Sequence, residues 1–528
     1  MFIQEESTMS EHDRGPKFHA HCCPHCDNAS DGEGISRRSF LGGMSSVTLG
    51  GMALAWVSWS EVAGADNQLP APPVRKPLLV KPILTYATPQ RAPQTSWRSW
   101  GGIQTEQDAK AETARIQDEL NKLQAAADFP VQFLPVTAIR DPKQLEGAAD
   151  LAGADTVLLY AAGGPAQVFQ QFRDQGKDVI YFVRHKSGPV SLWYEIVSPI
   201  HLRGHSDQRV TKNFDEQDVV VDNPGEVLWR LRALCGLKNT MNTRIVAIGG
   251  ASGWAQPKAP ELAKERFKLE IQPLSYPELG ELIKAARADQ AAVALAQKRA
   301  EAYLKLPGTT LETDPKFVEN AMLLDQIFRA IMKQADCRAI TVNGCMGTIM
   351  PMAETTACLT LSTLNDDGYM AFCESDFVVI PSGILLGNIS GRPMFLNDPT
   401  YPHDGVITLA HCTGPRKMDG QTLEPARILT HFESDYGAAP KVEMRKGQMT
   451  TNILPDFKAE RWVGVLGEIV DAPFLAICRD QIDIRFQCDS LRLAQRMPGF
   501  HWMTGYGDYS KELGYALKRV GIQWEFLG

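Results

Sequence analysis

Short apolar segments alternating with longer amphipathic ones constrain this chain more than any other feature, because they impose a strand–helix–strand order. Leu78–Leu84, Val131–Ile139, Thr156–Tyr160 and Val179–Val183 read as strands, the third of them closed by Gly163-Gly164. Between the first two, Thr105–Ala127 places apolar residues at helical spacing behind a Thr cap. Such an order predicts a parallel sheet covered by helices.

A second unit begins near Asn242. Arg244–Ile248 is an apolar strand that runs into Gly249-Gly250-Ala251-Ser252-Gly253. Tyr276–Leu304 and Pro315–Gln334 read as long helices and Ala339–Val342 as a strand. The glycine cluster matches neither the dinucleotide fingerprint nor the Walker pattern, so it reads as a βα turn rather than a phosphate cradle. From about Gly344 the character changes. After helices at Thr355–Asn365 and Ile384–Ile389, strands dominate: Arg427–Glu433, Lys441–Arg445, Trp462–Ile469 and Gln481–Arg485. The expected fold class is therefore α/β. Two N-terminal parallel-sheet βα domains (78–240 and 241–343) precede a C-terminal domain (344–528) that passes from mixed α/β into an antiparallel barrel.

Ahead of these domains stands a Pro-rich linker, 66–77, and before it a segment with the marks of export. Ser36-Arg37-Arg38-Ser39-Phe40-Leu41 precedes a mildly apolar stretch ending in Ala63-Gly64-Ala65. Paired arginines before Phe-Leu point to the twin-arginine route, with residues 1–65 as lead and signal. The expected partner at that stage is the twin-arginine translocase, and the expected location is periplasmic or otherwise extracytoplasmic. His19-Ala20-His21-Cys22-Cys23-Pro24-His25-Cys26 has metal-ligand composition but no zinc-site spacing, and reads as a lead-in. A formal net charge of −8 gives no basic face for a nucleic-acid partner. The cysteines beyond the signal lack CxxC spacing and lie among apolar residues, which suits buried free thiols.

Candidate chemistry gathers late in the chain. Tyr369–Asp376 reads as a buried strand that ends in two acids, Glu374 and Asp376. The carboxyl ends of α/β strands are where sites are built. Histidines at 403, 411, 431 and 501 follow, and Glu354 precedes. Trp97, in the aromatic and basic loop Gln94–Gly102, has the amphipathic surface on which a sugar face stacks.

These segments resemble the L-fucose/L-arabinose isomerase family. The resemblance rests on Cys358–Gly368, on Cys373-Glu-Ser-Asp376, on Ser390-Gly-Arg-Pro-Met-Phe-Leu-Asn-Asp398 and on Thr408-Leu-Ala-His-Cys-Thr-Gly414. The tail His501-Trp502 followed by Gly507-Asp508-Tyr509 extends it. It is most specific over residues 340–510. It implies one divalent ion, Mn²⁺ or another such as Mg²⁺, held by a Glu, an Asp and a His, which map onto Glu354, Asp376 and His501. Glu354 and Asp376 would double as acid/base groups, with His411, Asn397, His431 and Trp97 toward the sugar. In the arabinose branch a carboxylate ligand falls near Asn397, an amide here, which favours the fucose-type set. The implied activity is aldose–ketose isomerisation of a free sugar through an enediolate. A non-catalytic sugar-binding protein and a related epimerase or lyase are the rivals. The resemblance also implies a homo-oligomer, a trimer or hexamer.

Overall fold

The computed structural model describes residues 69–98, 100–164, 176–188, 197–208 and 214–528. The segment expected to be an export signal and the His/Cys-rich lead lie outside the described residues.

The first sheet contains β1 (Leu78–Thr85), β2 (Val131–Phe133), β3 (Thr137–Ile139), β4 (Thr156–Ala161), β5 (Asp178–Val183) and β6 (Val219–Val221). Its order is β2-β1-β4-β5-β6 with β3 also on β1, and every pairing is parallel. The single strand expected over 131–139 is broken between β2 and β3, where Pro135 has no N–H to give a ladder. The Pro135 carbonyl instead accepts from buried Lys81, whose Nζ also pairs with Asp150 at 2.7 Å. Helix α1 (Glu106–Ala126) starts as expected. The Thr105 side chain accepts from Asp108 N, and the Asp108 carboxylate returns the bond to the cap. Ala109, Glu112, Ile116 and Leu120 are its buried face.

The second sheet holds β7 (Arg244–Ile248) and β8 (Glu270–Leu274). After β9 (Thr309–Leu311), which belongs elsewhere, it adds β10 (Ala339–Val342) and β11 (Met370–Phe372). Its order is β11-β10-β7-β8, again all parallel. The helix expected over 276–304 is two helices, α2 (Tyr276–Ala288) and α3 (Gln290–Leu304). Asp289 divides them by accepting from Ala291 N and Ala292 N at 2.8 and 3.0 Å, so a short acid has capped a new helix instead of continuing the old one. Helix α4 (Pro315–Gln334) has the bounds read from the sequence and is buried along most of its length.

The remaining strands are β12 (Phe395–Pro399), β13 (Val406–His411), β14 (Ala426–Leu429), β15 (Ala439–Val442), β16 (Met449–Pro455), β17 (Arg461–Asp471), β18 (Asp480–Phe486), β19 (Trp502–Tyr506) and β20 (Gln523–Phe526). Six of them run β16-β19-β12-β13-β18-β17, and β17 pairs back onto β16, closing an antiparallel barrel. β20 adds in parallel on β17, and β15-β14-β9 form a small separate sheet. Closure removes the exposed edges that an open sheet would present. One core runs from the second sheet into the barrel, through Val246, Phe328 and Ile340 to Phe395, Ile484 and Trp502.

In the second sheet the chain leaves β7 toward β8 on one side and returns to β10 and β11 on the other. The carboxyl ends of these strands therefore bound a crevice at a topological switch point, where open α/β sheets bind ligands. The barrel presents one rim beside the loop that follows β11.

Candidate metal centre

Four side chains converge where the β11 loop meets the barrel rim. Glu374 comes from the loop that follows β11. Its φ is 63° and that of Ser375 is 46°, two successive left-handed residues without a glycine. Each costs about 1–2 kcal/mol, so the surroundings must hold them there. They do so through the glycine-rich turn after β7. Ser252 N donates to Ser375 O at 3.1 Å, and Phe377 N donates to Ser252 O at 2.9 Å. Gly253 must be glycine, because a Cβ there would collide with the Gln256 carbonyl. The turn is thus a clamp on the Glu374–Asp376 loop, and Trp254 stacks on Phe500 with ring centroids 3.9 Å apart.

The barrel supplies the other three through adjacent strands. Asp398 lies on β12, His411 ends β13, and His501 immediately precedes β19. Asp398 pairs in register with Ala410, and Asn397 with Trp502, which brings the three functional positions to one rim.

The distances are short. His501 Nε2 lies 3.2 Å from Glu374 Oε2 and 3.3 Å from Asp398 Oδ1. His411 Nε2 lies 3.6 Å from Glu374 Oε1. Ligand atoms of Glu374, His411 and His501 all fall within 4.8 Å of one another, a cluster that can hold a metal ion. Both imidazoles are buried, whereas Glu374 and Asp398 keep 26% and 28% of their side-chain surface exposed. The acids therefore face the opening and the histidines form the floor.

Asp376 stands behind this group. Its Oδ2 lies 2.7 Å from His501 Nδ1, and its Oδ1 accepts from Val378 N at 3.0 Å. An ionised carboxylate only accepts, so the Nδ1 proton belongs to His501 and the Nε2 lone pair is turned toward Glu374 and Asp398. Without an ion or a proton, that lone pair faces carboxylate oxygens. Asp398 Oδ1 is buried with no hydrogen-bond partner among the described residues. The Glu374 carboxylate and two imidazole nitrogens, one ring held by a carboxylate behind it and Asp398 standing 3.3 Å from it, form a donor set suited to a divalent ion.

The electrostatics agree. Burial opposes a charge on His501, but its bonds to Asp376 and Glu374 outweigh burial and hold its pKa well above the usual value. His411 is likewise raised to about 9, with burial overcome by Glu374 and Asp398. Burial tends to raise the Glu374 pKa, yet its bonds to the two histidines hold it well below the carboxylate range. Burial raises that of Asp398, with the histidines acting in opposition. The site attracts positive charge, and in the absence of an ion protons supply it.

Not every candidate from the sequence arrives here. Glu354 has φ 52°, keeps 56% of its side chain exposed and pairs with Arg287 at 3.0 Å, outside the cluster. Asp376 reaches the site only through His501. Asn397 is buried and turned away: its Nδ2 donates to Phe395 O and Thr504 Oγ1, both at 2.9 Å. His411 is brought in directly. His431 is buried near it, its pKa pushed down to about 4 by burial and then by His411. Trp97 carries the Arg98 guanidinium 4.6 Å above its ring. Sequence reasoning named Glu374 as a candidate acid without making it a ligand, and it passed over Asp398, which stood beside Asn397. The signal available was the strand alternation that turns Asn397 inward and Asp398 outward.

All eight cysteines among the described residues are free, and all but Cys488 are buried. No helix among the described residues is long and apolar enough to cross a membrane. Comparison of the chain with protein-family models gives no match, and comparison with curated proteins gives none either.

Proposed function

We propose that this protein is a metal-dependent aldose–ketose isomerase acting on a free sugar, with Glu374, Asp398, His411 and His501 as the residues that hold the ion. The observation that carries this reading is the convergence of two half-open carboxylates on two buried imidazole nitrogens, with Asp376 fixing the tautomer of His501. Oxygen-rich donors with imidazole suit Mn²⁺, and thiolates play no part. When bound, such an ion would act as a Lewis acid toward adjacent oxygens of a sugar.

Glu374 and Asp398 then take the roles that the family resemblance assigned to Glu354 and Asp376. Moving a proton between C1 and C2 requires a carboxylate that touches the substrate, and these two face the opening. Asp376 is 1% exposed and cannot reach a sugar. Its part is to hold His501. The amide of Asn397, together with the less certain Glu354, gave weight to a non-catalytic, sugar-binding reading. Asp398, one residue on, restores a carboxylate at that strand end and favours catalysis. Folding around the ion before twin-arginine export would protect a Mn²⁺ site from tighter-binding copper or zinc outside, so export is part of this proposal.

The test is metal analysis of the purified protein followed by a screen of free pentoses and hexoses for ketose formation. Stoichiometric Mn²⁺ with ketose formation from one sugar supports the proposal. A protein that binds sugar and metal yet forms no ketose would reduce it to a binding function.

A further inference from the structure

At the amino ends of the second sheet, opposite the metal centre, two arginines line a small cleft and a third lies against its wall. Arg338 immediately precedes β10, Arg392 follows helix α5 (Ile380–Ser390), and Arg75 lies on the Pro-rich segment leading into β1. Arg338 and Arg392 line the cleft with Asn365, Gly368, Tyr369 and Pro393. The Arg75 guanidinium lies against Gly391, where even a Cβ would collide with it, and it donates to Asn388 O at 2.9 Å.

No carboxylate lies within ion-pair distance of these three arginines among the described residues. The charge that bears on Arg338 is another cation: burial first, and then Arg75, lower its pKa to about 10. Burial also lowers that of Arg75, and Asp128, the acid that acts on it, is held by Arg232 at 2.6 Å. Carbonyls take some of the N–H groups, Gly368 O from Arg338 at 3.0 Å and Tyr506 O from Arg392 at 3.1 Å. Carbonyls do not cancel charge, and Arg338 Nε is buried with no partner among the described residues. Several other arginines of this chain meet acids. Arg184 pairs with Glu112 and Glu119, Arg329 with Asp325 and Asp367, and Arg519 with Asp178 and Asp218. Gathering three uncompensated guanidiniums costs free energy unless an anion joins them.

We propose that this cleft binds a small free oxyanion, of the size and charge of phosphate or sulfate, at Arg338 and Arg392, with Arg75 at its wall. Planar guanidiniums match tetrahedral oxyanions through paired N–H groups. The cavity volume is about 30 Å³, against about 10–15 Å³ for a single water, so it admits an ion of a few atoms and no nucleotide. Arg75 sits on the strap that enters β1, and Tyr369 donates its hydroxyl to Pro70 O at 2.7 Å on the same strap. A bound oxyanion therefore pins this strap to the second sheet.

The experiment is calorimetric titration of the full chain with inorganic phosphate at constant ionic strength, repeated with sulfate and with a phosphomonoester. Thermal unfolding is followed with and without phosphate. One saturable site is expected, weakened at least tenfold in both Arg338→Gln and Arg392→Gln. In phosphate-free buffer both variants should be at least as stable as the parent, because each loses a positive charge that no acid compensates. Metal content should not change in either variant. Absence of saturable binding at millimolar phosphate, or equal binding by the variants, would overturn the proposal. Equal destabilisation of the variants with and without phosphate would also overturn it, since the arginines would then be structural. A phosphomonoester that binds more tightly than inorganic phosphate would overturn the assignment to a free ion.

Discussion

Replacing Asp376 by Asn separates a residue that orients a ligand from one that binds the ion. Asp376 uses both oxygens, Oδ2 toward His501 Nδ1 at 2.7 Å and Oδ1 toward Val378 N at 3.0 Å. An amide has one acceptor and one donor in the same positions. If its oxygen serves Val378, its NH₂ faces His501 Nδ1, and the ring must move its proton to Nε2, where it blocks coordination. If its oxygen serves His501, the NH₂ meets the Val378 N–H and the loop shifts. Either way the tautomer that binds metal is disfavoured but not abolished. Loss of a group behind a ligand typically weakens metal affinity about 10–100-fold, which corresponds to about 1.4–2.7 kcal/mol. The assay is competition of the folded variant against a chelator of known Mn²⁺ affinity, with His501→Ala and Glu374→Gln in parallel. Both of those should lose far more than Asp376→Asn. If Asp376→Asn falls as far as His501→Ala, Asp376 is itself a ligand and the geometry has been misread. If it loses nothing, the His501 tautomer does not limit binding.

Other outcomes follow from the same structure. His411→Ala should strip the ion, because His411 Nε2 faces Glu374, whereas Glu354→Gln should leave metal content unchanged; elemental analysis of both decides this. Metal affinity should rise with pH up to about 9, by about tenfold per pH unit for each proton displaced, since His411 without the ion holds its proton to about 9; a flat profile in a chelator titration would contradict the site's electrostatics. Burial raises the Glu512 pKa to about 7 from 4.5, so its ionisation weakens the fold as pH rises through that window. Glu512→Gln should match the parent near pH 4 and exceed it near pH 8 by about 3 kcal/mol in denaturant unfolding. Gly253→Ala should cost about 1–3 kcal/mol by the same measurement, because its Cβ has no room beside the Gln256 carbonyl.

Much of the architecture was legible because it depends on local pattern. Arg244–Ile248, Ala339–Val342 and Pro315–Gln334 have the bounds that apolar runs and a leading Pro imply. Where a side chain chose between two local roles, the reading failed. Asp289 ended one helix by capping the next, and Pro135 split one strand into two. Barrel closure through β16 and β17, together with the return of β19 between β16 and β12, depends on pairings between distant segments that periodicity does not encode. The site was legible to within a residue or two. His501 and His411 stand out as scarce imidazoles at strand ends. The choice between Glu374 and Asp376 turns on two left-handed backbone residues, and that between Asn397 and Asp398 on which face of β12 is turned inward. Glu354 was misleading because its type fits a ligand, while its side chain pairs with Arg287 away from the cluster.

The donors of the centre are divided between two architectures. Glu374 is carried by a parallel sheet, while Asp398, His411 and His501 are carried by an antiparallel barrel. An ion bound to all four is a cross-link between them, closing a long loop of chain without a covalent bond. All four donors come together only where sheet and barrel are docked, so full coordination would report a finished assembly. Its removal should loosen the seam between sheet and barrel before either melts. Hydrogen exchange on the chelated protein should then rise first at Glu374–Val378 and at the 397–398 and 501–502 positions, while the interiors of β7 and β18 stay protected.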